Sequence, residues 1–179
     1  GNINKTFVKK QIVEELKEKG LKVRANPNNF NTEIGLPLAI LYLPSGYNYY
    51  KKWIPAILQA PLVIFQRNFP DYLVLELGTS DKGDMKYLMK LITPKISVIT
   101  DITQRYLEGY NNMEEMMGEY ELLVKNTNKN GAVVLNYDNP KVKELNKYAS
   151  ASVLSFGAPT NEPDIQLLES TKQDRGEKI

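Results

Sequence analysis

The sequence predicts an α/β fold with a mostly parallel sheet flanked by helices, and three observations carry that expectation. Short apolar runs at 72–78, 96–100, 132–135 and 152–156 read as strands, and they lack the polar–apolar alternation of a sheet with one wet face. Between them lie stretches with apolar residues at helical spacing, so strand and helix alternate as in βαβ units. The chain also opens with Gly1-Asn2-Ile3-Asn4-Lys5-Thr6 running straight into a helical pattern, which reads as the end of a phosphate-binding loop.

Each element follows in turn. Val8, Ile12 and Leu16 recur at helical spacing, and Gly20 stands where a C-cap belongs. Residues 21–25 are a short strand candidate, and 26–31 a polar loop. Gly35-Leu36-Pro37 starts a helix through about Leu43. Residues 44–70 are an aromatic and apolar insertion, in which Tyr47, Tyr49, Tyr50, Lys51, Lys52 and Trp53 precede the apolar run 54–65. That run is too short to span a bilayer. It reads as a helix packed on the sheet and interrupted by Pro55 and Pro61, or as a segment, 47–69, in contact with a membrane surface.

The strand at 72–78 ends in Glu76 and Gly78, and 84–92 is helical. After the strand at 96–100, Met113, Met116, Met117, Tyr120 and Leu123 form a helical stripe, which makes Tyr120 a core residue. The strand at 132–135 runs into Asn136-Tyr137-Asp138-Asn139-Pro140, a turn-and-cap pattern before a helix through about Tyr148. The domain is expected to cover 1–170, with 171–179 a charged tail that frays. The strand feeding the opening loop would lie before residue 1, so the first strand is expected to be missing from this chain.

Composition narrows the chemistry. At 179 residues, 42% apolar and 25% charged, the chain is an ordinary globular domain with room for a proper core. A net charge of +2, with Lys interleaved with Glu, makes no case for nucleic acid. The absence of Cys rules out disulfides and thiolate chemistry and fits a cytoplasmic location. The absence of His rules out Ser-His or Cys-His nucleophiles and His-ligated zinc. Carboxylates, Lys, hydroxyls and hard cations remain, and chemistry on phosphate and Mg²⁺ needs no more than these.

The opening loop suits that chemistry. Backbone N–H groups and the positive end of a helix attract phosphate, the Lys5 ammonium reaches the outer phosphates, and the Thr6 hydroxyl faces Mg²⁺. Asn4 stands where a tight turn prefers glycine; Asn tolerates left-handed geometry but takes up room. Ligands of parallel sheets gather at the carboxyl ends of strands, where Glu76, Asp101 and Asn136 fall. Glu76 closes a continuous apolar strand, and a buried carboxylate is costly without a metal or a Lys as partner.

Several segments, in order, resemble the central ATP-binding domain of the Mur ligases, nearest to the type that adds D-alanyl-D-alanine. Gly1 to Thr6 looks like that family's Gly-Ser-Asn-Gly-Lys-Thr loop, and Asn26-Pro27-Asn28-Asn29-Phe30-Asn31-Thr32-Glu33-Ile34-Gly35-Leu36-Pro37 like its Asn-Phe-Asn-Asn-Glu-Ile-Gly-Val-Pro segment. Leu75-Glu76-Leu77-Gly78 is similar to the strand whose Glu binds Mg²⁺, and 131–140 to the segment whose Asn meets adenine. Ser155-Phe156-Gly157 resembles the closing strand.

The resemblance implies an ATP-dependent ligase of peptidoglycan precursor synthesis. ATP would phosphorylate the carboxylate of a UDP-muramoyl peptide, and the amine of an amino acid or dipeptide would attack the acyl phosphate. It implies catalytic roles for Lys5 and Glu76, nucleotide contacts from Asn2, Asn4, Lys5, Thr6, Asn136 and Asp138, and Mg²⁺ contacts from Thr6 and Glu76. Asn29, Asn31, Thr32 and Glu33 would contact substrate, although Glu33 reads equally as a cap of the Leu36 helix. Further domains of the same chain would complete the site.

The sequence departs from the pattern at four places. Asn4 replaces the loop glycine, Tyr106 falls where the family has His, and Asp101 replaces an Asn. The carbamylated Lys of the family falls at Tyr120, or at Glu119 with a one-residue shift, and Glu119 would then supply a carboxylate oxygen to the metal in its place. A divergent ligase and a non-catalytic nucleotide-binding or scaffold module are therefore both carried forward.

Overall fold

A computed structural model describes residues 3–27, 30–43, 58, 61, 69–103, 107 and 109–166. The chain divides into two compact units, one made of residues 1–92 and 104–122 and the other of 93–103 and 123–179. The expectations for Gly1, Asn2, Asn29, Tyr106, the tail 171–179 and most of the insertion at 44–70 lie outside the described residues.

In the first unit, α1 (Ile3–Glu18) leads to β1 (Val23–Ala25), α2 (Gly35–Leu41), β2 (Tyr72–Val74) and α3 (Asp84–Leu91). Gly20 closes α1 with φ +75°, and its N–H and that of Leu21 return to the carbonyls of Lys17 and Leu16, as a glycine C-cap requires. β1 and β2 pair in parallel, Val23 opposite Tyr72 and Ala25 opposite Val74, and α1 packs on both. Leu36, Ala39, Leu43, Met85, Leu88, Met116 and Met117 form the buried apolar core of this unit. The N-cap of α2 is Ile34, with no side-chain cap bond, so Glu33 does not cap this helix.

The second unit holds β3 (Ile96–Ile99), β4 (Ala132–Asn136), β5 (Ser152–Gly157) and β6 (Ile165–Gln166), parallel and adjacent in that order. Between β4 and β5 lie α5 (Pro140–Glu144) and a 3₁₀ turn, Leu145–Tyr148, matching the helix expected there. The long helix α4 (Met113–Asn126) contributes its last turn to this unit. There Leu123 and Val124 join Ile99, Ile102, Val133, Leu135, Val142 and Leu145 in the core.

Two expectations need correction. β3 alternates, with Ser97 and Ile99 buried but Ile96 60% and Val98 37% exposed, so this strand is not covered on both faces. On α4 the buried member of the neighbouring pair is Glu119, while Tyr120 is only half-buried. A carboxylate has taken the core position that the aromatic was expected to fill, because it has hydrogen-bond donors to meet there.

Candidate functional site

The first unit brings Thr6 and Glu76 together across 70 residues of sequence: the Thr6 hydroxyl donates to Glu76 Oε2 at 2.9 Å. The β-ladder stops at Val74, short of the strand length read from the sequence, and Glu76 is held by a side chain instead. Asn26, 2% exposed at the end of β1, donates from Nδ2 to Glu76 O at 2.9 Å and accepts from Glu76 N at Oδ1 at 2.8 Å. Its amide thus bonds both backbone groups of Glu76, prolonging the pairing beyond the strands. Nδ2 also donates to Phe30 O at 2.9 Å, tying the 26–31 loop to the same point.

Lys9 completes this cluster. Its Nζ lies 3.2 Å from Glu76 Oε2 and donates to Asn26 O at 2.9 Å, and both charged side chains are only 7% exposed. The expectation of a partner for the Glu76 carboxylate is met by a Lys that the sequence reading did not single out. The signal was present: Lys9 stands three residues before Ile12 and seven before Leu16, a charge on the apolar stripe of α1, and on one face with Lys5 and Thr6. Removing one member of a buried pair strands the other at a cost of about 3–5 kcal/mol.

Lys5 lies in the first turns of α1 and is half-buried. Burial draws its pKa below the ordinary value, and the charge of Glu76 opposes the shift. Asn4 lies inside α1, so its backbone meets no demand for left-handed geometry. Asn31 reaches the same strand end: its carbonyl accepts from Gly78 N at 2.8 Å. Gly78 leaves room for its side chain, since a Cβ there would stand 2.8 Å from Asn31 Nδ2. Thr32 receives Leu36 N at its carbonyl, and Glu33 is exposed.

Glu119 has another task. Its Oε1 accepts from Gly83 N at 2.8 Å and its Oε2 from Met85 N at 2.7 Å, so both oxygens cap the start of α3. Glu119, expected from the sequence to offer a carboxylate oxygen to a metal, here serves backbone amides with both oxygens. Burial, with Glu119, Asp84 and Asp81 around it, pushes the nearby Tyr110 phenol above its usual range. Among the described residues no group of three or more Asp or Glu is arranged to hold a metal.

In the second unit, the turn after β4 binds the ends of its neighbours. Asn136 donates from Nδ2 to Thr100 O at 2.9 Å and accepts from Asp138 N at 3.0 Å. Asp138 Oδ1 accepts from Ala158 N and Asn161 Nδ2, at 2.7 and 2.8 Å. Asn139 caps α5, accepting from Lys141 N and Val142 N, and donates to Asp101 Oδ1 and Ile102 O. Asn136 and Asp138, expected at a nucleotide, serve the frame of this unit.

Comparison with known proteins places the chain in a family. The model of the Mur ligase middle domain matches residues 54–179. The chain belongs to the Mur ligase family, through that family's middle domain. It is similar to UDP-N-acetylmuramoyl-tripeptide–D-alanyl-D-alanine ligases: 25% identical over 155 residues to that of Bacillus subtilis, covering 87% of this chain and 28% of the relative. The Haemophilus influenzae enzyme is 23% identical over 156 residues, covering 83% and 29%. Among solved structures, the MurF ligase of Thermotoga maritima in complex with ADP matches with TM-score 0.61 and 27% identity, over 86% of this chain and 30% of that one. MurF of Acinetobacter baumannii matches in fold, with TM-score 0.62 and 16% identity, over 84% and 28%. The chain therefore spans less than a third of the length of these relatives. Among the described residues no helix is long and apolar enough to cross a membrane.

Proposed function

We propose that this chain is the ATP-binding middle domain of a ligase that joins D-alanyl-D-alanine, or a similar amine, to a UDP-muramoyl peptide. The observation that carries the reading is the Thr6–Glu76 bond, which brings the hydroxyl following Lys5 at the start of a helix against the carboxylate at a strand end. A helix start favours phosphate, and Lys5 lies close enough to Glu76 for their charges to interact.

The donors fit magnesium. Mg²⁺ takes hard oxygen ligands and is commonly held by one or two carboxylates, with phosphate and water completing its shell. Thr6 Oγ1 and Glu76 would hold it, and it would supply neutralisation of charge on the transferring phosphoryl group. Lys5 would bind and orient the outer phosphates, and Asn31, Thr32 and Glu33 would face the muramoyl peptide. The peptide carboxylate attacks the terminal phosphorus of ATP and ADP leaves. The incoming amine then attacks the acyl phosphate and expels inorganic phosphate.

The test is calorimetric titration of the intact protein with a non-hydrolysable ATP analogue, with and without Mg²⁺, beside Lys5→Ala and Glu76→Ala. Binding that needs Mg²⁺ and is lost in both variants is expected. Phosphate release that requires both a UDP-muramoyl tripeptide and D-alanyl-D-alanine would establish the ligase. Nucleotide binding without such release would mark a non-catalytic module, and no binding at millimolar nucleotide would defeat the assignment.

A further inference from the structure

Lys9 has no step in the reaction proposed above, yet it is the one buried residue among the described side chains of α1. Its ammonium and the Thr6 hydroxyl converge on the same oxygen, Glu76 Oε2, at 3.2 and 2.9 Å. The carbonyl of Asn26 fixes the ammonium from behind, at 2.9 Å. The Asn26 side chain also bonds the backbone N–H and carbonyl of Glu76, so the ammonium and the backbone of Glu76 are anchored to one residue. The carboxylate that a divalent cation would use is thus already faced by a tethered monovalent one.

We propose that Lys9 is the positioning residue of the magnesium site: it holds Glu76 against Thr6 while no metal is bound, and admits magnesium only together with nucleotide. This rests on reading Glu76 as the magnesium carboxylate. The physical reason is repulsion. A divalent cation arriving alone at Glu76 meets the ammonium in a poorly solvated place, where like charges interact strongly. A cation arriving with a triphosphate brings its own surplus of negative charge, and the ammonium then favours the complex. One side chain in this way couples metal entry to nucleotide entry, as a coupling free energy between two ligands.

Mn²⁺ serves as the probe, because its electron paramagnetic resonance signal counts free metal without turnover. The intact wild-type protein is compared with Lys9→Met and Lys9→Arg, each titrated with Mn²⁺ alone and with Mn²⁺ plus a non-hydrolysable ATP analogue. Lys9→Met is expected to bind Mn²⁺ alone at least about fivefold more tightly than wild type, and to lose most of the nucleotide's enhancement of metal binding. Lys9→Arg, which keeps the charge, is expected to behave as wild type. A folded Lys9→Met whose affinity for Mn²⁺ alone is unchanged or weaker overturns the proposal. If Lys9→Met is poorly folded, Mn²⁺ alone must raise its unfolding midpoint by more than it raises that of the wild type; an equal or smaller rise overturns it. Glu76→Gln separates this idea from its parent. Wild type that binds Mn²⁺–nucleotide through Glu76 but is indifferent to Lys9 sinks the Lys9 proposal alone, whereas wild type that binds no Mn²⁺–nucleotide sinks the ligase reading with it.

Discussion

Lys5 and Asn26 carry the residue-scale consequences of the first unit. Burial lowers the pKa of Lys5, so the folded chain releases this proton at a lower pH than the unfolded chain. Between those two values the unfolded chain holds the extra proton. Stability therefore rises with pH there, as the burden of a buried ammonium is lifted. A bound triphosphate favours the ammonium and reverses the shift. Nucleotide binding at alkaline pH, below the ordinary lysine value of 10.5, is expected to take up a proton. Calorimetry in two buffers of different ionisation enthalpy reads that uptake, and Lys5→Met should abolish it. Equal heats in both buffers for the wild type would remove Lys5 from the phosphate site. Asn26→Ala deletes three hydrogen bonds and leaves Glu76 N–H and two carbonyls without that partner. We expect a loss of about 2–4 kcal/mol in chemical denaturation, because buried backbone groups left unpaired lose their solvation without compensation.

At the scale of elements, Glu119 acts as a helix cap. Its two oxygens satisfy N–H groups at the start of α3, and the negative charge suits that helix end. Glu119→Ala should cost about 1–3 kcal/mol in denaturation without any metal present. A variant as stable as wild type that has nonetheless lost Mg²⁺ binding would return Glu119 to the metal. Lys9 and Glu119 teach the same lesson about reading helices. Each is a charge in line with apolar residues at helical spacing, and each is buried with a fixed partner. Periodicity identified both helices; only the breach of periodicity marked the residues that matter. The turn after β4 was legible in the opposite way. Asn139-Pro140 announces a cap and a first turn, and Asn139 indeed accepts from Lys141 N and Val142 N, since capping is a local event.

For the molecule as a whole, length is the controlling fact. The chain spans 28% of the Bacillus subtilis relative and 29% of the Haemophilus influenzae relative. The ligation proposed above would need water kept from an acyl phosphate, and enzymes commonly do so by closing domains over the substrates. The 179 residues by themselves are therefore expected to bind nucleotide but to release phosphate no faster than buffer, as measured with both muramoyl peptide and D-alanyl-D-alanine present. Phosphate release above background by these residues alone would show that no further domain is needed for the transfer.

The order of strands and helices as far as β5, the parallel pairing and the family were legible in the sequence, because hydrophobic period, caps and motif order are properties of neighbours along the chain; the two-residue β6, Ile165–Gln166, was not. The same locality explains the misses. Where β2 stops, that β3 leaves Ile96 and Val98 exposed, that Lys9 faces Glu76 67 positions on, and that Glu119 closes α3 are matters of which groups meet after folding. Hydrogen bonds and ion pairs act over about 3 Å of space whatever their separation in sequence, so only the tertiary structure could say that Glu76 has a Lys partner and which Lys it is.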